Sequence, residues 1–361
     1  MLKNKSGISI VLLLITSSYA TATLAEGYNA IVSKSAHKNE FSTIGAALRS
    51  APDGDTPYII YIKKGVYTER IVIRRKNITL IGEKRNETII EADTAAGYFS
   101  PQGKKLGTSG SSTVLVNAAN FTAKNLTIRN SFDFPANSVK SDNDPTKLKS
   151  TQAVALLLAE KSNKARFDKI NLEGYQDTLY SKTGSRSYFT DCLITGHVDF
   201  IFGSGTTVFD NCEIRARNRT DTKSLYGYIT APSTKSDQPY GLIFINSRLT
   251  REVGVPAGSF GLGRPWHPTT QFPDGRYADP NAIGQTVYIN CTMEDHIGHW
   301  VSMSGKNKQG ETIWFQPQDS RFFEYHSKGA GAKIIPERPQ LSSQDAKKFR
   351  LAAIFPDWKI K

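Results

Sequence analysis

The sequence lacks any long apolar run. Its longest, residues 8–15, is far shorter than the ~20 residues a membrane-crossing helix needs, which excludes a polytopic membrane protein. Cysteine is scarce too: 3 residues in 361, with no CxxC spacing, so neither a disulfide scaffold nor a structural zinc site has its starting residues. Missing as well are a GxSxG elbow, a P-loop and an HExxH helix, which removes the serine hydrolase, nucleotide-binding and zincin classes. Acidic residues are in deficit, 33 Asp plus Glu against 46 Lys plus Arg, giving a formal charge of +13. What is present, 39% hydrophobic residues and 28 Gly in a chain of this length, is enough for a large core and excludes global disorder.

Lys3 and Lys5 precede the apolar run and small residues (Ala20, Ala22, Thr23, Ala25) follow it, the order of a secretory signal peptide. Residues 1–25 are therefore expected to be removed, leaving 26–361 as one exported domain of charge +11. A basic exported protein favours an anionic polymer. Nucleic acid is disfavoured because the basic residues make no run of five and no zinc finger, RRM or OB signature is present. Beyond residue 25, six N-x-S/T sequons, at Asn77, Asn86, Asn120, Asn125, Asn218 and Asn290, would be glycan acceptors only in a eukaryotic secretory route.

An internal repeat organises the rest. An aromatic residue is followed five positions later by Leu, Ile or Met at Phe121/Leu126, Phe167/Leu172, Phe189/Ile194, Phe209/Ile214, Phe244/Leu249 and Tyr288/Met293. The aromatics are spaced by 46, 22, 20, 35 and 44 residues, which reads as one or two multiples of about 22 with one lengthened interval. Short β-branched and aromatic runs separated by Asn, Asp and Gly predict an all-β fold, a right-handed parallel β-helix with one coil per repeat. Residues 40–50, with a Ser42/Thr43 cap and apolar Ile44, Ala47 and Leu48, predict an N-terminal cap helix. Residues 344–355 predict a second amphipathic segment packing over the last coils, and 131–150 a loop interrupting the repeats.

Asp177 lies ten residues after Phe167 and Asp199 ten after Phe189, so the two occupy equivalent places on consecutive coils. Strands of adjacent coils are ~4.8 Å apart, which would stack the carboxylates within roughly 5–6 Å. Like charges that close push one pKa up, dividing the pair into a proton donor and a nucleophile or base. An Asp ladder bonded to turn amides has the same spacing, and spacing alone leaves both readings open. The neighbours favour chemistry: Gln176 and Gln152 are uncharged donors suited to an oxyanion, and Arg264 is a cation able to hold one Asp ionised.

The motifs GYQDTLY (174–180), GHVDFIFG (196–203), STQAVAL (150–156) and LGRPW (262–266) resemble those of the pectin methylesterases, carbohydrate esterases of the parallel β-helix class. The resemblance covers nearly the whole mature chain and is nearer the secreted bacterial and insect forms, which lack an inhibitor-like pro-region. It implies Asp199 as nucleophile, Asp177 as general acid and then base, Gln152 and Gln176 as oxyanion donors, and Arg264 as the partner of the nucleophile. Trp266, Phe202, Tyr180, Met303 and Thr108 match the substrate-binding set. It further implies methylated pectin as substrate, no cofactor or metal, and a secreted monomer that modifies plant cell walls. His197, where small or β-branched residues are common, departs from the pattern and is expected to alter a subsite; the SKTGSR turn between the aspartates is one residue longer than in some relatives.

His296 and His299, three apart, are expected to form a surface or cleft pair rather than a metal site. Cys192 and Cys212 fall three residues after a repeat aromatic, and stacking on consecutive coils makes them a disulfide candidate. Cys291 is expected to be a buried free thiol. Two rivals to the esterase stand: a pectate lyase or polygalacturonase on the same fold, for which a calcium-binding acidic cluster or a clustered Asp set with a nearby His would be needed, and a noncatalytic wall-binding solenoid.

Overall fold

A computed structural model describes residues 27–222 and 224–360, so the expected signal peptide lies outside the described residues. Short strands such as Tyr58–Ile62 alternate buried and half-buried side chains, each placing one face inside. Such strands stack into three parallel sheets of ten, seven and eight strands, each new coil adding a strand to the growing edge of a sheet. The molecule is a parallel β-helix.

Inside it, the repeat aromatics form a ladder. Ring centroids are 4.3 Å apart for Phe167–Phe189, 5.1 Å for Phe189–Phe209, 4.6 Å for Phe209–Phe244 and 4.7 Å for Phe244–Tyr288. All five are fully buried, each ring contributing about 1.5–3 kcal/mol of burial free energy. The aliphatic partners five residues on, Leu172, Ile194, Ile214, Leu249 and Met293, pair in register on the eight-stranded sheet. Between each aromatic and its partner one residue takes the left-handed conformation: Lys169, Asp191, Asn211, Asn246 and Asn290, with φ of 52 to 54°. That single residue turns the chain from one sheet to the next. Asn and Asp visit this region at least cost among residues with a Cβ, and four of the six sequon asparagines (Asn77, Asn120, Asn125, Asn290) are such turn residues.

The repeat differs from its sequence reading in two respects. Phe244 pairs directly with Tyr288, so the 44-residue interval is one coil enlarged by an insertion and not two coils. The 46-residue interval is likewise a single enlarged coil, in which Phe167 pairs with Ala123 and Leu172 with Ile128; Phe121 and Leu126 sit two residues out of register. Stacking demands matched strands but leaves turn length open, so long excursions cost little.

The cap helix forms at Ile44–Arg49, with the Thr43 hydroxyl accepting from the Ala46 N–H and the Glu69 carboxylate accepting from the Ile44 and Gly45 N–H groups. The C-terminal segment is three short pieces, Ser343–Ala346, Lys347–Phe349 and Leu351–Ile354. Phe349, Ile354 and Phe355 pack on Tyr188, Val208, Ile243 and Val287, the outward row of the ten-stranded sheet, so this segment covers the flank of several coils.

The expected Cys192–Cys212 disulfide is not formed: both are buried free thiols, as is Cys291. The Cys192 Sγ donates to the carbonyls of Phe167 (3.5 Å) and Thr190 (3.2 Å), and that of Cys212 to Phe189 (3.6 Å) and Asp210 (3.4 Å). Ser247, the next rung, does the same with Phe209 and Ile245. Each thiol reaches main-chain carbonyls as a hydroxyl would, and the two also interact with one another without being covalently joined. His296 and His299 are no pair either: His296 is buried with both ring nitrogens unpartnered, and His299 is exposed.

Candidate active site

The seven-stranded sheet carries the site on its outer face, built from the central strands Leu179–Ser181, Val198–Gly203 and Gly227–Pro232 and the residues flanking them. Asp177 and Asp199 sit at the corner where the chain enters this sheet, both left-handed, with φ of 64° and 51°. Leu179 pairs with Ile201, and the Asp177 N–H bonds to the Val198 carbonyl at 3.1 Å, so the two aspartates hold the same place on adjacent coils. Close approach continues at Gly203 (φ 111°), where a Cβ would lie 2.0 Å from the Ser181 carbonyl oxygen.

Around the pair, one cavity of about 710 Å³ gathers Thr108, Gln152, Gln176, Asp177, Tyr180, Asp199, Phe202, Arg264, Trp266 and Met303. They come from separate places in the chain. Gln152 and Gln176 sit on successive coils, Arg264 and Trp266 follow the strand Phe260–Gly263, Thr108 belongs to the short helix Gly107–Gly110, and Met303 opens a hairpin.

The two carboxylates live in different settings. Arg264 grips Asp199 with two parallel bonds, Nε to Oδ1 at 2.8 Å and Nη2 to Oδ2 at 2.6 Å. Burial works against the guanidinium charge, but Asp199 outweighs it and the Arg264 pKa is raised; its plane rests 3.8 Å from the Tyr228 ring centroid. Asp177 has no such clamp. Burial first, and the Asp199 charge second, push its pKa well above the ordinary carboxylate range, against a smaller opposing pull from Arg264 and Gln176. Burial and the neighbouring Asp177 likewise push Tyr180 up to about 12, keeping it a neutral phenol.

The Thr151 hydroxyl donates to Gln176 Oε1 at 2.7 Å, which orients the amide with its NH₂ group on the Asp177 side. Tyr180 and Phe202 stack at 4.2 Å, and Trp266 meets them edge-on at 6.1 and 5.5 Å, giving an aromatic floor beside the aspartates. Sequence reasoning missed Thr151, Tyr228, Thr269 and Arg276, the last two also lining the cavity. Thr151 lies within the STQAVAL motif but only the fold sets its partner, Tyr228 stands on a strand of the seven-stranded sheet, and Thr269 and Arg276 are carried by a hairpin insertion. His197, expected at a subsite, is buried beneath Phe134 (ring centroids 4.3 Å) and Tyr175, and it is Phe134 that reaches a neighbouring cavity of about 680 Å³ shared with Gln176. Burial, then Arg219 and Arg217, hold the His197 pKa well below its usual value, so the ring is neutral.

Fold and cleft together define a parallel β-helix protein with an acid-pair site on its sheet surface. The pectinesterase family model matches residues 29–338. The chain is 54% identical to pectinesterase A of Dickeya chrysanthemi, over 99% of each chain. Among solved structures it is similar to a pectin methylesterase from Yersinia enterocolitica, with 70% identity and a TM-score of 0.88 over 89% of this chain and 100% of that one. It is also similar to a pectin methylesterase in complex with a hexasaccharide, with 55% identity and a TM-score of 0.91 over 93% and 99% of the two chains. The chain belongs to the pectinesterase family.

Proposed function

We propose that this protein hydrolyses methyl esters of galacturonate units in pectin, releasing methanol and leaving free carboxylates on the polymer, with Asp199 as nucleophile and Asp177 as general acid and then base. Family membership supports the reaction. The roles rest on one observation: the stacked aspartates occupy opposite electrostatic settings, Asp199 clamped by Arg264 and Asp177 driven toward its protonated form.

In this mechanism an Asp199 oxygen attacks the ester carbonyl carbon, and the carbonyl electron pair moves onto oxygen. The amide groups of Gln176, oriented by Thr151, and Gln152 donate to that oxyanion. Collapse breaks the bond to methoxide, which takes the Asp177 proton and leaves as methanol, while Asp199 is held as a mixed anhydride with the galacturonate. Asp177, now anionic, removes a proton from water; the resulting hydroxide attacks the acyl carbon and Asp199 departs as carboxylate. The product acid loses its proton to solvent, and Asp177 is protonated again.

Thr108, Tyr180, Phe202, Trp266 and Met303 would hold the sugar chain, with the aromatic floor supplying stacking area. We further infer an exported protein that acts as a monomer, with 26–361 as its catalytic unit, on the pectin of plant cell walls; its positive charge suits a substrate that becomes more anionic with every turnover. The test measures methanol, reducing ends and unsaturated ends from methylated pectin, for the wild type and Asp199→Ala. Methanol alone is expected, falling by at least about 10⁴-fold in the variant. Unsaturated or new reducing ends would transfer the protein to the lyase or glycosidase reading, and a variant retaining most activity would remove Asp199 from the nucleophile's role.

A further inference from the structure

Two antiparallel hairpins stand beside the sheet that carries the aspartates, and both face the cleft. Thr269–Phe272 pairs with Gly275–Ala278, and Met303–Lys306 pairs with Thr312–Phe315. The first brings Thr269 and Arg276 to the cavity and the second brings Met303. Neither belongs to the parallel stack, so coil-to-coil hydrogen bonding does not set where they stand.

His267 joins them. Its ring lies flat on Phe315 of the second hairpin, centroids 3.5 Å apart and planes within 9°. Its Nδ1 is 2.7 Å from the main-chain oxygen of Asp279, just past the end of the first hairpin. A carbonyl oxygen only accepts, so Nδ1 carries the proton and donates. Asp279 is itself pinned: it is buried, its carboxylate is paired with Lys235 and accepts the Asn281 N–H, and its own N–H bonds to the Pro268 carbonyl. The imidazole thus ties the far end of one hairpin to the ring of the other, while the residue before it in the chain, Trp266, forms part of the aromatic floor. Across the second hairpin, Phe315 is the direct register partner of Met303. A shift of Phe315 is therefore a shift of Met303.

We infer that His267 is a positioning residue for polymer binding: by clamping the two hairpins, which pack side by side, it sets where Thr269 and Arg276 stand relative to Met303, and so determines how tightly a sugar chain is held, without touching the reacting atoms. This rests on the reading of the cleft as the site of pectin hydrolysis. The two fail differently, since loss of the aspartate chemistry appears in kcat and loss of the clamp in KM.

The experiment compares steady-state kinetics on methylated pectin for His267→Ala, Phe315→Ala and the double variant, with thermal melting of each. Expected is a KM raised about 10-fold in each single variant with kcat within about 3-fold of wild type, and a double variant no worse than either single one, because both remove the same clamp. His267→Phe, which keeps the stacked ring and loses the donor, should recover part of the KM. His267→Gln serves if the alanine variant does not fold, and should show the same rise in KM. A folded His267→Ala with unchanged KM, or additive losses in the double variant, overturns the inference. So does a fall in kcat with no change in KM.

Discussion

Two corners of the same β-helix use one backbone device for opposite ends. Where the chain passes between the ten- and eight-stranded sheets, Asp191, Asn211, Asn246 and Asn290 sit left-handed; where it enters the seven-stranded sheet, Asp177 and Asp199 do. At the first corner the side chains bond one another along the stack, Asn211 to Asp191 at 2.6 Å and Asn290 to Asn246 at 3.4 Å, in the open. At the second, the carboxylates are buried, and a single arginine from an enlarged coil meets one of them. A ladder of short polar residues is thus only a turn until burial and an unequal counter-charge divide its members. Chemistry comes from the asymmetry, not from the spacing.

The sharpest way to break that asymmetry is Arg264→Ala. It should leave two buried carboxylates with no counter-charge, costing about 3 kcal/mol of stability and lowering kcat by about 10²-fold or more. Denaturant melts and methanol assays check both, and an Arg264→Lys variant should recover the charge but not the two-pronged grip. Asp191→Ala at the other corner is expected to leave kcat unchanged and to cost only about 1–2 kcal/mol, for placing alanine in a left-handed position.

Asp177→Asn probes the same contrast through pH. Because burial raises the folded-state pKa of Asp177 above its ordinary value of 3.8, the native state binds this proton more tightly than the unfolded chain does. The contribution of Asp177 to stability is therefore greatest below that value and declines as pH rises from there through the folded-state pKa. Asp177→Asn should accordingly melt higher than wild type at neutral pH, with the two Tm curves converging as pH falls toward 3.8, and is expected to release no methanol under the proposed roles. A constant gap across that window would mean that packing, not ionisation, separates them.

The smallest effect belongs to the turn corner. Asn211→Ala should cost about 1–2 kcal/mol, since alanine resists the left-handed conformation, while Asn211→Gly should be nearly neutral. Neither should move kcat or KM, which a denaturant melt and a methanol assay will establish together.

Much of this was legible because a solenoid writes its period into the chain. The aromatic ladder, the cap at Thr43 and the shared register of Asp177 and Asp199 all follow from residue spacing, since neighbouring coils repeat the same local path. Where the chain leaves that path, spacing misleads. Intervals of 46 and 44 residues look like two coils and are one, and Phe121 falls two residues out of register. The cysteines share a column yet each thiol is already bonded to a carbonyl, a preference that no spacing encodes. His296 and His299 are near neighbours in sequence, but only packing turns one inward and leaves the other in solvent.

The sequence by itself determined the fold and the stacked acid pair, because both depend on local strand and turn preferences repeated at a constant interval. Only the tertiary structure decided which aspartate is clamped, which amide is oriented by Thr151, and how the His267 ring comes to lie between two hairpins beside the cleft. Those contacts join residues from 25 to 65 positions apart for Thr151 and Arg264, and their strength depends on burial and distance, which exist only once the chain is folded.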